Sequence, residues 1–306
     1  GQGGFYEAVF KLSEIESDAA LTLGQKGVFA SFFGPDLPNL LGVVVLTSLG
    51  TWGLPQMVHK FYAIKDEKSI KSGTIISTFF AIVVSGGCYF LGGFGRLFDS
   101  PAIHGENSII YDAIIPSMLS TLPDLLIGVV VVLVLSASMS TLSSLVLTSS
   151  STLTLDLLKG HVIKEMNDKK QLLIMRILLV VFIAISVIIA IDPPTFIAQL
   201  MGISWGALAG AFLAPFLYGL YWKGVTKAAV WASFATGVGV TVSNMFLKFI
   251  ASPINAGAVA MIAGLIVVPI VSLVTPKMNK EKVGEMFSCY DETVVISKKH
   301  SLEARK

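Results

Sequence analysis

The chain has 306 residues, of which 54% are hydrophobic and only 14% are charged, and its mean hydropathy is +0.77. An ordinary soluble domain carries about 25% charged residues, so this composition excludes a soluble globular protein and indicates a membrane protein. The net charge is only +2 and the basic residues form no dense patch, so the charge gives no indication of nucleic acid as a partner, and we expect none.

Residues 1–36 precede the first apolar run and carry several acidic residues, among them Glu7, Glu14 and Asp18. We predict that they form a partly helical segment outside the membrane. The chain begins without an initiator Met or a signal peptide. We therefore expect it to be a piece of a longer protein, with further helices on its N-terminal side.

Seven apolar runs follow, each close to the length of about 20 residues that a membrane-spanning helix needs. They cover residues 37–57, 73–98, 125–147, 172–191, 196–222, 228–249 and 254–274. The sequence thus predicts an all-α membrane protein with a transmembrane core over residues 37–275. Residues 276–306 carry no long apolar face, and we expect a flexible tail.

Lysine and arginine concentrate on the cytoplasmic side of short membrane loops. If the first run enters the membrane from outside, 18 of the 22 basic residues fall on the cytoplasmic side. The other four are Lys11, Lys26, Arg96 and Lys248. We therefore predict a multi-pass protein of the plasma membrane, with residues 1–36 extracellular and the tail (residues 276–306) cytoplasmic.

The first run is interrupted near its end by Gly50, Gly53 and Pro55. Such breaks are tolerated in a membrane where the freed backbone faces protein or a watery cavity, and broken helices form the substrate sites of secondary transporters. Thr47, Thr51 and Trp52 are the side chains there that are suited to contact a solute. A kink that serves only helix packing is the alternative.

The loop over residues 99–123 contains Ile110, Ile114 and Met118 at helical spacing. We expect a short helix lying against the outer mouth of the protein. A lid and a simple packed connector are both open interpretations of this helix.

The third run leads into LSASMSTLSSLVLTSSSTLTLD, residues 135–156, in which 12 of 22 residues carry a hydroxyl. At 100° per residue, the apolar side chains fall in one arc and most hydroxyls fill the remainder. We therefore predict one amphipathic helix with an inward hydroxyl face. Close packing against neighbouring helices is one explanation of that face.

Cation binding is the other explanation. Ser140, Ser143 and Ser144 share one side of the helix, Thr141 lies beside them, and Ala137 offers a carbonyl one turn earlier. Hard cations need several oxygens at short range, and neutral oxygens suit a monovalent ion that must later leave.

Gly202, Gly206 and Gly210 recur at a spacing of four in the fifth run. This spacing predicts a close approach of a neighbouring helix backbone.

Two stretches resemble the sodium:solute symporter family. SASMSTLSSLVLTSSSTLTLDLLKG, residues 136–160, is similar to the family's eighth core helix, and GTWGLPQMVHKF, residues 50–61, is similar to its sixth. The resemblance runs from about residue 29 to residue 276. It implies an inverted-repeat bundle of broken helices, of which this chain holds core helices six to ten and two peripheral helices.

The resemblance also implies roles for individual residues. The family's shared sodium site corresponds to the carbonyl of Ala137 and the hydroxyls of Ser140 and Thr141, and a second site of some members corresponds to Ser140, Ser143 and Ser144. Both sites also need groups from helices that this chain does not contain.

Asp156 matches an acidic residue near the inner end of the family's eighth helix. It is either part of an inner gate or a solvated charge at a helix end. The sodium/proline branch has aromatic residues in its sixth helix where this chain has Thr47 and Thr51. The solute therefore stays open among small organic molecules such as an amino acid, a carboxylate or a sugar.

The resemblance implies sodium-coupled symport by alternating access, with Na⁺ as the coupling ion and no covalent chemistry. An intramembrane hydrolase needs a base beside its nucleophile, and no His, Lys or Glu lies deep in any predicted span, so no catalytic residue is predicted. A channel-type or structural membrane subunit is the remaining alternative.

Overall fold

The structure is a computed structural model that describes residues 3–58, 64, 66–105, 109–163 and 165–290. These described residues form helices joined by turns and loops, and they contain no β-strand. The predicted all-α architecture is therefore confirmed. Several residues used for the orientation prediction, including Lys60, Lys65 and Lys164, lie outside the described residues.

Six helices of the described residues are long and apolar enough to cross a membrane. They are α4 (Glu67–Gly93), α6 (Asp124–Thr152), α7 (Asp168–Ile191), α8 (Ile197–Tyr221), α9 (Lys227–Leu247) and α10 (Pro253–Val274). The first predicted run forms the shorter apolar helix α2 (Leu37–Gly53), which has 17 residues. Six of the seven predicted spans thus have spanning length, and the first is shortened by its break.

The chain divides into two compact units. Unit 1 comprises residues 1–41 and 58–201, and unit 2 comprises residues 42–57 and 202–306.

In unit 1, the N-terminal segment forms α1 (Phe5–Glu14), which confirms the predicted partial helicity. The ring of Phe5 stacks on Phe90 at 5.9 Å between centroids, near the C-terminal end of α4. Arg96 follows α4, pairs with Asp18 at 3.2 Å and places its guanidinium 4.0 Å from the ring centroid of Phe29. Aromatic contacts and one arginine thus attach the segment to the end of α4.

The 99–123 loop of the same unit contains α5 (Ile114–Leu119), which confirms the predicted short helix. A carboxylate oxygen of Asp112 accepts a hydrogen bond of 3.1 Å from the backbone N–H of Ile197, the first residue of α8. The rings of Tyr111 and Phe196 meet beside it at 5.4 Å. A negative charge at a helix N-terminus is favourable, so the loop is tied to the start of α8.

Unit 2 is held together by close backbone contacts between α8, α9 and α10. A Cβ atom placed on Gly206 would lie 2.5 Å from the Cα of Gly257 in α10, and Gly210 meets Gly237 of α9. A Cβ atom on Gly202 would lie 2.9 Å from the Cα of Ile254. The packing role predicted for the glycines at a spacing of four is confirmed.

The tail begins with α11 (Lys280–Phe287). The Tyr290 hydroxyl donates a 3.0 Å hydrogen bond to the carbonyl of Leu220 near the end of α8, and Phe287 stacks on Tyr290 at 5.7 Å. Residues 280–290 therefore contain a helix and contact the end of α8, while the flexibility expected for the tail stays a prediction. Residues 291–306 lie outside the described residues.

Candidate functional site

The hydroxyl-rich stretch is one continuous helix, α6, despite the weak helix preference of Ser and Thr. Many of its hydroxyls bond back to a carbonyl one turn earlier. Ser143 donates to the carbonyl of Met139 at 2.7 Å, and Ser144 donates to that of Thr141 at 2.9 Å. Such bonds satisfy the polar groups locally, so the helix does not need a polar neighbour at these positions.

Ser140 and Thr141 differ from these two. Their hydroxyls make no hydrogen bond among the described residues, and Ser149 on the same helix shares this property. Ala137, Ser140, Thr141, Ser143 and Ser144 are all exposed in this chain. The inward orientation of the hydroxyl face therefore stays a prediction.

The five groups on α6 form a set of neutral oxygens on one stretch of helix. A hydroxyl has one proton and two lone pairs, so Ser143 and Ser144 keep acceptor capacity after donating to the backbone. Ser140 keeps its proton free as well. One helix presents these oxygens from one side only, so an ion bound there needs further oxygens from a second element.

Charged metal ligands do not gather in the described part of the chain, where no three His, Cys, Asp or Glu side chains come together. The oxygens on α6 are uncharged, which favours a weakly held monovalent cation over a tightly bound divalent metal.

Burial on α6 and on the helical turn that follows it falls on residues that the sequence did not single out. Val146, Ser150 and Thr154 are buried, and they lie at a spacing of four. Thr154 donates to the carbonyl of Ser150 at 2.7 Å, and Ser150 donates to that of Leu147 at 3.0 Å. Helix packing therefore accounts for these two hydroxyls, and their shared period with Val146 is the signal that sequence reasoning missed.

Asp156 lies in a π-helix over residues Leu153–Val162, which continues α6 without a break. Its side chain is exposed and forms no ion pair among the described residues, while its backbone carbonyl accepts a hydrogen bond of 2.9 Å from the His161 ring. A π-helix is rare and is found often at functional sites. No sequence signal predicted this change of winding.

The predicted interruption of the first run is confirmed. Helix α2 ends at Gly53, Leu54 is not helical, and the short helix α3 (Pro55–Val58) begins at the proline. Pro55 has no N–H to offer to the preceding turn, which explains why the break occurs here. Residues 59–61 of the quoted motif lie outside the described residues.

The glycines of this stretch serve packing within unit 2. A Cβ atom on Gly50 would lie 3.1 Å from the Trp205 ring, and one on Gly53 would lie 2.9 Å from the Cα of Ala209. Helix packing therefore accounts for both glycines, independently of any role of the break at Leu54 in solute binding.

The three candidate solute residues lie off this glycine face. Thr47 and Thr51 are half-buried and donate to the carbonyls of Val43 at 2.7 Å and Ser48 at 3.2 Å. Trp52 is 59% exposed. They belong to unit 2, whereas the oxygens on α6 belong to unit 1.

Comparison with known proteins bears on both sets. The model of the sodium:solute symporter family matches residues 2–237. The chain is 28% identical over 239 residues to the sodium/pantothenate symporter of Haemophilus influenzae. This match covers 78% of the chain and 47% of the Haemophilus protein. It is 29% identical over 251 residues to the sodium/proline symporter of Staphylococcus aureus. That match covers 79% of this chain and 49% of the Staphylococcus protein.

The chain thus spans about half the length of these relatives, and no solved structure is significantly similar to it. Both relatives are named as symporters, that is, as transporters and not as enzymes. The family match covers most of the chain, including α2 and the whole of α6. The chain belongs to the sodium:solute symporter family.

Proposed function

We propose that the chain is the C-terminal half of a sodium-coupled symporter for a small organic solute, working by alternating access in the plasma membrane. It supplies core helices six to ten of an inverted-repeat bundle together with two peripheral helices. Helices outside this chain supply the remaining half. The relatives are named for proline and pantothenate, an amino acid and a carboxylate, which supports a solute of this size and polarity.

The free hydroxyls of Ser140 and Thr141 are the observation that carries the proposal. They lie at positions that the family resemblance assigns to sodium, and no side chain or carbonyl of the described residues satisfies them. Adjacent residues point about 100° apart on a helix, so both reach one ion only if it lies in the groove beside α6. The Ala137 carbonyl approaches that groove from the preceding turn.

The energetics of such a mechanism are sufficient. Moving one charge through about 100 mV releases about 2.3 kcal/mol, and a factor of ten in concentration needs about 1.4 kcal/mol. One sodium ion therefore supports roughly 40-fold accumulation of the solute from voltage alone.

Uptake by the full-length gene product tests the proposal. Ser140→Ala and Thr141→Ala each delete one neutral oxygen and leave helix formation intact, because Ala is a strong helix former. We expect both variants to need a much higher sodium concentration for half-maximal uptake, at normal expression. Ser149→Ala is the matched control, because Ser149 is also exposed and also lacks a hydrogen bond among the described residues.

The outcomes separate the alternatives. If all three variants have the same sodium dependence, the hydroxyl face serves helix packing and the site assignment is wrong. If sodium flux occurs without any solute, the protein is a channel. If neither ion nor solute crosses the membrane, it is a structural subunit.

A further inference from the structure

Pro215 lies inside α8 and removes one backbone hydrogen bond. In an α-helix the N–H of residue 215 would bond to the carbonyl of residue 211, but proline has no N–H. Ala211 is 2% exposed, so water does not replace the missing donor. A buried carbonyl without a donor is unfavourable, above all in a membrane.

Ser233 of α9 supplies a donor to this carbonyl. Its hydroxyl lies 3.1 Å from the carbonyl oxygen of Ala211 and 3.5 Å from that of Gly210. The serine is completely buried. So short a side chain reaches across because Gly237, one turn further along α9, lies directly against Gly210.

Pro269 in α10 repeats the situation. It removes the donor to the carbonyl of Leu265, and the hydroxyl of Tyr218 in α8 donates to that carbonyl at 3.0 Å. The Tyr218 ring packs against the buried cluster of Ala214, Ala229 and Val268, one residue from each of the three helices.

We propose that Ser233 and Tyr218 replace the amide donors that Pro215 and Pro269 lack, and that the two bonds join α8, α9 and α10 into one rigid body. One bond runs from α9 to α8 and the other from α8 to α10, so three helices are linked in series. The rigidity of this body follows from the two hydrogen bonds and does not depend on which solute the protein transports. In a symporter it means that α9 and α10 move together with α8.

A double-mutant cycle tests the replacement in the full-length protein. Ser233→Ala leaves the Ala211 carbonyl without a donor, and we expect the midpoint of thermal unfolding to fall by about 2 to 4 °C. In the Pro215→Ala background the backbone N–H returns, so the same change should have little effect. Tyr218→Phe should behave alike, with its loss removed in the Pro269→Ala background.

Matched controls lie on the same helices. Ser243→Ala in α9 and Tyr221→Phe in α8 remove exposed hydroxyls that make no hydrogen bond among the described residues. They should leave the midpoint unchanged. The replacement is refuted if Ser233→Ala and Tyr218→Phe resemble these controls, or if their losses are undiminished in the proline variants.

Distances between spin labels test rigidity. Phe212→Cys in α8 and Ile266→Cys in α10 are exposed sites for labels in a protein that also carries Cys88→Ser and Cys289→Ser. We expect one narrow distance distribution with and without sodium, which Tyr218→Phe broadens. Two separate distances between the labels in the protein that retains Tyr218 would contradict the rigid body.

Discussion

Gly53 of α2 and Ala209 of α8 are in such close contact that a Cβ atom on the glycine would lie 2.9 Å from the Cα of Ala209. It would also lie 2.8 Å from the Cβ of Leu213. Gly53→Ala therefore forces the two helices apart, and we expect a destabilisation of about 1 to 3 kcal/mol. Thermal unfolding of the purified protein measures it.

The control is Gly239→Ala in α9, where a Cβ atom would meet nothing within 4 Å. Alanine favours a helix over glycine by up to about 1 kcal/mol, so this variant should be neutral or more stable. If both variants lost the same stability, the contact with α8 would not be the reason why residue 53 must be glycine.

We expect Thr47 and Thr51 to line the solute cavity. Thr51→Trp should change the solute concentration for half-maximal uptake several-fold, because the indole fills space that a small solute needs. Thr47→Val removes one hydroxyl at nearly constant volume and should weaken binding of a polar solute. Ser48→Ala, an exposed position between them, serves as the control. Unchanged uptake kinetics in both threonine variants would remove them from the site.

Arg96 should determine how firmly the N-terminal segment is held. Arg96→Ala loses the ion pair with Asp18 and the contact with the Phe29 ring, so protease should cut the segment several-fold faster. The global stability should change by less than about 1 kcal/mol, since the pair is largely exposed. Lys26→Ala, which breaks a looser pair of 3.8 Å with Glu16, should leave the cleavage rate as it is.

Lys248 follows α9 with a φ of 48°, in the left-handed region that glycine adopts without strain. Lys248→Gly should therefore raise the free energy of unfolding by up to about 1 kcal/mol. Lys248→Ala retains the unfavourable backbone conformation and should give no gain. If both variants have the same stability, the lysine conformation carries no strain.

The orientation of the chain is testable with its own cysteines. Cys88 lies in α4 and Cys289 near the start of the tail, and both are exposed in this chain. In a Cys88→Ser background, a membrane-impermeant thiol reagent should label Cys289 in inside-out vesicles and not in intact cells. Ser31→Cys, in a protein that also carries Cys88→Ser and Cys289→Ser, should give the opposite pattern. Labelling of Cys289 from outside would contradict the predicted topology.

The sequence predicts the membrane helices well because the bilayer imposes a strict requirement. About 20 apolar residues must occur together, and few other structures need such a run. The helix break at Leu54 can also be predicted from the sequence, since Gly53 and Pro55 act on their own backbone. Both predictions depend on local chemistry alone.

Features that depend on packing were not predictable in this way. The sequence identifies Pro215 and therefore the carbonyl that loses its donor, but only the fold brings Ser233 beside that carbonyl. The π-helix around Asp156 has no residue pattern that would distinguish it from an α-helix in the sequence. The partners of the hydroxyl face depend on neighbouring helices, so no periodicity in α6 itself identifies them.

The contact between Tyr290 and Leu220 determines where a reporter can be joined to this protein. A fluorescent protein or purification tag fused beyond residue 290 leaves the stacked pair of Phe287 and Tyr290 and its hydrogen bond to α8 in place. Fusion directly after α10, at Val274, removes that hydrogen bond and places a bulky neighbour beside the end of α8. A change in activity after such a fusion would then reflect the choice of junction rather than the reporter.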